Sequence, residues 1–548
     1  SSMIATVMTM APYYADTYAA DALPKQMEAL IANGFTLLRN DKGDYYSCLG
    51  SMEQIHPMVA IRMSDKKNFG NSLMGTLYAN LTPFKGFVFT TRLGYRELNA
   101  NTYQYNNLYY GSASANNKDK NGASRSNSST TYYQWENFVN YSTDLWDKHH
   151  VSAMLGMSYS ENNFTYVSAG VDKTAKHDPL YADVSYPAGD AVKSTAGYNL
   201  INRKLSYFGR LAYDYQNRYM LQAAMRADAA DTSVLPGTNR WGYFPSVSAG
   251  WVISNERFFT EKNNTPLTFL KLRASWGQNG STSNLSGYKY SNSLVTSAAG
   301  YSFSNTAMKY VTSAKPSQLY NPDLKWETTT SRNLGIDFGF MGNRLAGSID
   351  VYWNTTKDLL MCVPIDETTG YSYQYQNIGQ TSNKGIELSL NYDIVRTKDF
   401  SFGISATYNY NHNNIDKLSG NIIAQYGSQW ASSSTSPAYD YLFKEGSPVG
   451  LIRGFISDGY YSTNDFNYDA STGVYTLREG VADIASSITG NYPSPFKVAD
   501  GQNAFPGALK LRNLNPEEDN LVDSDDVADL GEVMPKHTGG FNLNATWK

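Results

Sequence analysis

The sequence predicts an all-β fold, a transmembrane antiparallel β-barrel, and three observations carry that prediction. Tyrosine and glycine are abundant, with 44 and 43 residues among 548, whereas only 17% of the residues are charged. This composition suits strands better than helices. Short segments of alternating apolar and polar residues recur along the chain, and tight turns alternate with long polar connections. Short turns at one rim and long loops at the other are typical of outer-membrane barrels.

The clearest pair of strands lies at residues 328–353, on either side of the short turn MGNR. Leu334 and Ile336 alternate with polar or small residues before the turn, and Ile349 and Val351 do so after it. A period of two predicts strands, and each is about as long as the roughly 9–11 residues that cross a bilayer when tilted. We expect the apolar face to meet lipid and the polar face to line a lumen.

The remainder of the chain follows the same plan in two parts. Residues 1–70 are predicted to be a long loop region with a short helix at 23–34, which Gly34 would end. Residues 71–548 are predicted to be the barrel, with a large extracellular loop region at 411–535. The other predicted strands are 73–81, 87–95, 135–141, 151–159, 207–213, 219–225, 246–253, 269–276, 386–392, 400–410 and 540–547. A soluble array of carbohydrate-binding β-sandwiches remains the alternative architecture.

Charge and motifs exclude several functions. The net charge is −4 without a basic block, so we expect no nucleic-acid partner. The six histidines show no HExxH spacing, and neither GxSxG nor a phosphate-binding loop occurs, so an enzyme is not predicted. Cys48 and Cys362 lie far apart and indicate isolated thiols, or one bridge at most.

Aromatic residues among amides and hydroxyls in the predicted loops indicate binding. Aromatic faces supply contact area at little entropic cost, and Asn, Gln and Ser adapt to many hydroxyl or amide patterns. An oligosaccharide or a peptide would suit such a surface. The alternative is that these side chains pack the loops against one another or against a partner lid. The candidate substrate-binding residues are Tyr103, Tyr105, Tyr109, Tyr288, Tyr290, Tyr371, Tyr373, Tyr375, Tyr426 and Trp430.

Several longer stretches occur in a recognisable order and cover most of residues 71–548. The stretches are NSLMGTLYANLTPFKGF, YFGRLAYDYQNRYMLQAAMRAD, WGYFPSVSAGWVISNERFF, LKLRASWGQNG, NPDLKWETTTSRNLGIDFGFMGNRLAGSIDVYW, NIGQTSNKGIELSLNYDIV and EGSPVGLIRGFISDGYY. Because of them, the chain resembles the barrel region of SusC-type (SusC/RagA) TonB-dependent transporters of the Bacteroidota outer membrane.

The resemblance implies a function and partners. It implies part of a barrel of about 22 strands, in an importer of oligomeric nutrients, with oligosaccharides preferred and peptides the alternative. It also implies a SusD-like surface lipoprotein as a lid, coupling to TonB through an N-terminal plug, and contact with outer-membrane lipid. The family's plug is not recognisable here, so we expect the middle of a longer protein. A structural or adhesive barrel without transport is the competing class.

The resemblance also bears on one acidic stretch near the C-terminal end. The family has a DxNxDG-like loop there, similar to the oxygen-rich spacing of a calcium loop. This chain departs from it, because Pro516 stands where glycine is usual. No other cofactor is expected, so the two readings are a Ca²⁺ site and a solvated acidic loop. The candidate metal ligands are Asn513, Asn515, Asp519 and Asp523.

Overall fold

A computed structural model describes most of the chain. The described residues are 15–49, 55–176, 183–260, 266–285, 288–291, 294–297, 313–316, 318–371, 373–418, 424–426, 439–489 and 494–547. Two compact units emerge from the contacts. The first comprises Ser1–Pro83, Val88–Val139 and Gly156–Leu205, and the second comprises Phe84–Phe87, Asn140–Leu155 and Ser206–Lys548.

Thirteen long strands form one sheet, in which each strand is hydrogen-bonded to the next strand along the chain. The all-β prediction is therefore confirmed. No helix of the described ranges is long and apolar enough to cross a membrane. The strands are β1 (Ser64–Leu81), β2 (Phe87–Asn106), β3 (Ala123–Leu145), β4 (His149–Val171), β5 (Lys193–Tyr215), β6 (Tyr219–Ala229), β7 (Trp241–Val252), β8 (Leu267–Ser281), β9 (Glu327–Phe340), β10 (Leu345–Pro364), β11 (Tyr373–Arg396), β12 (Phe400–Lys417) and β13 (His537–Trp547).

Cross-strand register separates the two faces of the sheet in the second unit. Leu334 lies opposite Ala274 on β8 and Val351 on β10, and Ile336 lies opposite Leu272 and Ile349. Because side chains alternate along a strand, all of these belong to one apolar face. Leu334 is 51% exposed and Ile349 38% exposed, so no protein layer covers this face. The opposite, polar face carries Asp337 and Asp350.

Tight turns join several strands at one end. Gln216 and Asn217 both have positive φ, as a two-residue hairpin turn requires, and the MGNR turn holds Met341, Gly342 and Asn343 at positive φ. β3 and β4 are joined by only three residues, 146–148. The predicted connection 142–150 was therefore too long, because the strands continue through polar residues up to the turn.

The N-terminal region of the first unit packs around a helix. Helix α1 (Lys25–Ala32) confirms the helix prediction, buries Met27 completely against Leu37 and Tyr45, and is followed by Gly34 at φ +81°. Helix α2 (Pro57–Arg62) leads into β1, which begins at Ser64, before residue 71. The residues just before 71 therefore already belong to the sheet, because backbone pairing with β2 compensates for their polar side chains.

A small module occupies the connection between β12 and β13. We call residues 439–489 and 494–536 the loop module. Tyr461, Phe466, Ile484 and Ala504 form its buried core, and Tyr475 packs against that core. The module therefore has a hydrophobic core of its own, whereas the sequence indicated only a long loop region here.

Short elements complete the structure. The short strands are Thr17–Tyr18, Tyr45–Tyr46, Tyr109–Tyr110, Asn116–Asn117, Leu294–Ser297, Ser313–Pro316, Ala424–Tyr426, Tyr441–Phe443, Leu451–Gly454, Ser457–Tyr460, Phe466–Asp469, Val474–Leu477, Asp483–Ile484, Leu509–Leu511, Leu521–Val522 and Ala528–Glu532. The short helices are Ile253–Asn255, Arg257–Thr260, Glu367–Thr369, Thr463–Asp465, Ser486–Thr489 and Ser524–Asp526.

Candidate substrate-binding surface

A cavity of about 780 Å³ lies against strands β5 to β8 in the second unit. Its lining on the polar face combines hydroxyls, carboxamides, an arginine–aspartate pair and two phenylalanine rings. These side chains come from alternate positions of neighbouring strands, so the sheet itself fixes their spacing. The polar-face lining residues are Phe208, Arg210, Gln222, Arg226, Asp228, Phe244, Ser246, Ser248, Ser275 and Asn279.

Arg226 is the best-anchored side chain of this cavity. Its Nε donates to Asp228 Oδ1 at 2.8 Å, and its Nη2 donates to Ser206 Oγ at 2.8 Å. Its guanidinium also lies over the Phe208 ring, 5.6 Å from the centroid. Three contacts fix the guanidinium plane, which leaves a preorganised group for a polar ligand.

Phe244 forms the aromatic wall, and two glycines make room for it. A Cβ on Gly242 would lie 2.4 Å from Phe244 Cζ, and one on Gly280 would lie 2.0 Å from the same atom. Phe244 also packs edge-on against Trp326, with ring centroids 5.5 Å apart. A side chain at either glycine would displace the ring, so both glycines are needed for the shape of the wall.

A second charged group on the polar face joins three strands. Arg273 of β8 donates to both carboxylate oxygens of Asp337 at 3.0 Å and to Asp350 Oδ2 at 2.7 Å. The other oxygen, Asp350 Oδ1, is buried without a hydrogen-bond partner among the described residues. Gly335 between them has no room for a Cβ, which would lie 2.7 Å from both Arg273 Cζ and Asp350 Oδ1.

Four predicted aromatic residues lie in two neighbouring pairs around Lys289. The Tyr288 and Tyr290 rings are 6.2 Å apart, and the Tyr373 and Tyr375 rings are 6.0 Å apart. Lys289 Nζ lies 3.9 Å from the centroid of the Tyr375 ring, a cation–π contact that links the pairs. Tyr288 is 52% exposed and offers its ring to a ligand.

Two of the other three rings of this cluster have packing roles as well. Tyr290 and Tyr375 pack against a buried core that includes Leu235 and Leu324. Burial raises the pKa of Tyr290, and its hydroxyl donates to Thr232 O at 2.6 Å. Tyr373 and Tyr375 were predicted to lie in a loop, but they belong to β11, because its backbone pairing with β10 extends that far.

The predicted aromatic residues of the first unit are placed differently. Tyr103 and Tyr105 were also predicted in a loop, but both lie on β2, where polar residues continue the backbone pairing. Tyr105 is 1% exposed and packs against Ala123 and Val171, so it has no surface to offer a ligand. Tyr103 packs beside it, under the Arg125 guanidinium.

Three further candidates have separate positions. Tyr109 is half-buried in the short strand Tyr109–Tyr110, and Tyr371 is half-buried after a short helical turn. Tyr426 pairs with Tyr441 in a two-stranded ladder. Trp430 lies outside the described residues. Neither Tyr109 nor Tyr371 lines the polar-face cavity.

The candidate metal ligands form a loop closed by its own hydrogen bonds. Asn513 donates to Asp519 O at 2.9 Å and accepts from Asn515 N at 2.9 Å, and Asp523 caps a short helical turn. Asp526, fully buried, accepts from the backbone of the same loop. Across the described part of the chain, no group of three or more His, Cys, Asp or Glu side chains is arranged to hold a metal ion.

Comparison with known proteins identifies the family. The family described as "TonB dependent receptor-like, beta-barrel" matches residues 61–495. The chain belongs to this family of TonB-dependent receptor barrels. The TonB-dependent receptor SusC of Bacteroides thetaiotaomicron is 39% identical over 243 residues, 44% of this chain and 23% of that protein. A TonB-dependent receptor of Formosa agariphila is 29% identical over 492 residues, 88% of this chain and 42% of that protein.

A solved structure supports the same fold. The structure of the RagAB peptide transporter matches with a TM-score of 0.69 and 22% identity, over 92% of this chain and 49% of that chain. The receptor chain described here spans less than half the length of the curated relatives that it matches. The resemblance to SusC/RagA-type receptors is thus confirmed at the level of family and fold.

Membership of the family assigns the two faces of the sheet. TonB-dependent receptors are outer-membrane β-barrels, so the receptor lies in the outer membrane and its exposed apolar face contacts lipid. The polar face with Arg226 and Arg273 lines the lumen. Because the family consists of receptors, the prediction of a non-enzymatic protein is confirmed as well.

The polar-face cavity was missed from the sequence. Gln222, Arg226 and Asp228 lie at alternate positions of QAAMRAD, and this period was the available signal. These three side chains lie near Phe208 and Ser275 only because of the register of β5 to β8, which the sequence does not specify.

Proposed function

We propose that the full protein imports oligosaccharides across the outer membrane, driven by TonB and capped by a SusD-like surface lipoprotein. The observation that carries this proposal is the lumenal cavity with Arg226 and Phe244 on its wall. A cavity of this size is in the range of about 300–1,000 Å³ typical of small-molecule sites. Import requires a lumenal binding surface, and this surface is fixed by the sheet.

The chemistry of the lining favours a sugar. Ser246, Ser248, Ser275, Gln222 and Asn279 supply hydroxyl and amide groups that both donate and accept hydrogen bonds, which matches the hydroxyls of a pyranose. The half-buried Phe208 ring, with the small exposed part of the Phe244 ring, supplies apolar surface for the C–H face of a sugar. Together these groups suit an uncharged, polyhydroxylated ligand.

A peptide is the second candidate. Lys271 and Arg210 face the polar side and form no ion pair within the described residues. Two free cations would attract peptide carboxylates. RagAB, whose fold is similar, is described as a peptide transporter, but an identity of 22% supports the fold alone.

One binding experiment separates these substrates. The full receptor and its co-purified lipoprotein are titrated calorimetrically with maltooligosaccharides, xylooligosaccharides and mixed-sequence peptides. Arg226→Gln should weaken oligosaccharide binding by roughly tenfold or more, because a charge-assisted hydrogen bond is lost. Arg92→Gln is the matched control, since Arg92 is also paired with a carboxylate, Glu136, in the first unit.

The outcomes distinguish the candidates. Oligosaccharide binding that depends on Arg226 and not on Arg92 supports the proposal. Peptide binding that depends on Arg226 and not on Arg92 would indicate that the cavity binds peptides, as the second candidate function requires. Absence of binding in both series, in a protein that migrates as a folded barrel, favours a structural or adhesive role.

We also propose the acidic loop of the loop module as a Ca²⁺ site. The support is Asn515 Oδ1, which is buried without a hydrogen-bond partner among the described residues and offers an oxygen ligand. Asn513, Asp519 and Asp523 would complete the ligand set. Calcium should raise the melting temperature of the full protein, and a titration without any change would remove the idea.

A further inference from the structure

One row of side chains marks an abrupt boundary on the apolar face. Register places Trp276, Arg332, Trp353, Lys384 and His412 directly opposite one another on the five consecutive strands β8 to β12. We call these residues the basic–aromatic row. The row alternates aromatic and basic side chains on the lipid side of the sheet, and it runs perpendicular to the strands.

The rows on either side differ sharply in polarity. Towards the tight turns, the next row is Ala274, Leu334, Val351, Ile386 and Tyr410. Towards the long loops, the next row is Gln278, Thr330, Thr355, Ser382 and Asn414. The change from apolar to polar thus occurs within a single step of the alternation on all five strands.

This boundary fixes the depth of the row in the membrane. Phe340 ends β9 eight positions nearer the tight turn than Arg332, which is about 26 Å along an extended strand. A strand tilted by about 35–45° rises only roughly 20 Å over that length, which is most of an apolar band about 25 Å tall. Arg332 therefore lies a few Å inside the boundary between hydrocarbon and headgroups on the side of the long loops, within reach of its long side chain.

The basic side chains of the row, Arg332 and Lys384, form no direct ion pair in the described structure. Neither Arg332 nor Lys384 forms an ion pair or a side-chain hydrogen bond with any described residue, and Lys384 is exposed. The carboxylate of Asp416, on the polar side of the row, already accepts hydrogen bonds from Ser382 and Asn414. Arg332 thus faces the headgroup layer without an ion-pair or hydrogen-bond partner among the described residues, and Lys384 has only a longer-range electrostatic attraction to Asp416.

The tryptophans complete a site for a headgroup rather than for water alone. Trp353 lies between Arg332 and Lys384 and is 39% exposed, while Trp276 flanks Arg332 on the other side and is 38% exposed. Strands lie about 4.8 Å apart, so the two basic residues start roughly 10 Å from each other. Indole rings prefer the interface between apolar and polar layers.

We propose that the basic–aromatic row binds the phosphate groups of a phosphorylated lipid in the outer leaflet. Arg332 and Lys384 bind the phosphates, Trp353 packs between them against the body of the headgroup, and the apolar rows hold the acyl chains. Charge complementarity selects an anionic headgroup at this depth. This proposal rests on the membrane orientation of the receptor and not on its substrate.

The test uses the full-length receptor in detergent, titrated with lipid A and followed by native mass spectrometry. The double variant Arg332→Gln with Lys384→Gln should raise the Kd for lipid A by roughly 30-fold, on the order of fivefold for each cation removed. The control double variant Lys85→Gln with Lys398→Gln removes two cations from short turns and should leave the Kd unchanged. Heat-modifiable migration on gels verifies that every variant is folded.

Two further arms identify what is bound. Dephosphorylated lipid A should bind the wild type as weakly as lipid A binds the double variant. The exchange variant Arg332→Lys with Lys384→Arg keeps both charges and should retain binding. Equal binding of lipid A by the wild type and the double variant overturns the proposal. So does displacement of lipid A by inorganic phosphate alone, which would indicate a site for the free ion.

Discussion

Adjacent residues on one strand distinguish the lipid face from the lumen. Ile349 and Ser348 are neighbours on β10, but alternation places Ile349 on the exposed apolar face and Ser348 beside Asp337 on the polar face. Ile349→Arg should reduce the free energy of unfolding by roughly 2–4 kcal/mol, because a charge near the bilayer midplane loses its water. Ser348→Arg is the control and should cost less. Denaturant unfolding from lipid vesicles measures both free energies. Equal losses in the two variants would contradict the assignment of the lipid face and the lumenal face.

A single glycine tests the charged group of Arg273. Gly335→Ala would place a Cβ 2.7 Å from Arg273 Cζ and Asp350 Oδ1, so the arginine must leave one carboxylate. We expect a loss of about 1–3 kcal/mol in unfolding free energy, typical of a buried polar group left unpaired. Gly75→Ala is the matched control, because a Cβ there meets no atom within 4 Å. An equal loss in both variants would mean that the arginine group contributes nothing specific.

The loop module is the element whose stability should depend on acidity. Lys510 donates to Asp465 and Arg512 donates to Asp458, and these hydrogen bonds lower the pKa of both carboxyl groups. Hydrogen bonds from Ser471 and Thr472 lower the pKa of Asp469 from 3.8 to about 2. Because each pKa is lower in the folded protein, the stabilisation is complete well above pH 4 and is lost as the pH falls towards 2.

Hydrogen exchange measures this effect in the full protein. After correction for intrinsic rates, exchange in the hairpin Phe466–Asp469 and Val474–Leu477 should accelerate below about pH 4. Asp469→Asn should already exchange faster at neutral pH and should lose part of the pH dependence. Asp500→Asn serves as control, since Asp500 forms no side-chain hydrogen bond among the described residues. A hairpin whose exchange is unaffected by pH or by Asp469→Asn would contradict the assigned role of these carboxylates.

The elements show what the sequence could and could not predict. Period-two alternation located every long strand, including the pair around MGNR, because one face of each strand is apolar where it meets lipid. The sequence missed the parts of β2 and β11 that lie nearer the long loops, residues 96–106 and 373–385. A strand that continues beyond the membrane is polar on both faces, so it lacks the alternation of apolar and polar residues. Tyr105 and Tyr375 therefore looked like loop residues, although backbone pairing holds both in the sheet.

The binding surface was less predictable than the strands. Tyr288 was selected because its loop is rich in aromatic residues, and its ring is 52% exposed, but its role in binding stays a prediction. The Arg226 cavity and the basic–aromatic row were not found, because both are assembled across four or five strands. Register between strands depends on turn geometry and on face burial, and a single residue shift would have separated Arg332 from Trp353.

At the scale of the whole molecule, one sheet has two chemically different faces. The apolar face carries Leu334 and Ile349 into lipid and is bounded by the basic–aromatic row, while the polar face carries Arg226 and Arg273 into the lumen. Family membership places this sheet in the outer membrane. The proposed import of oligosaccharides uses the second face, and the proposed lipid site uses the edge of the first.

Uptake by living cells tests the central proposal most directly. Cells that produce the full-length receptor and its lipoprotein partner are given a fluorescent oligosaccharide, with and without collapse of the proton-motive force. We predict uptake that requires the receptor, stops when the force collapses, and falls with Arg226→Gln but not with Arg92→Gln. Uptake that is unchanged in cells without the receptor, or that is unaffected by Arg226→Gln, would contradict the proposed function.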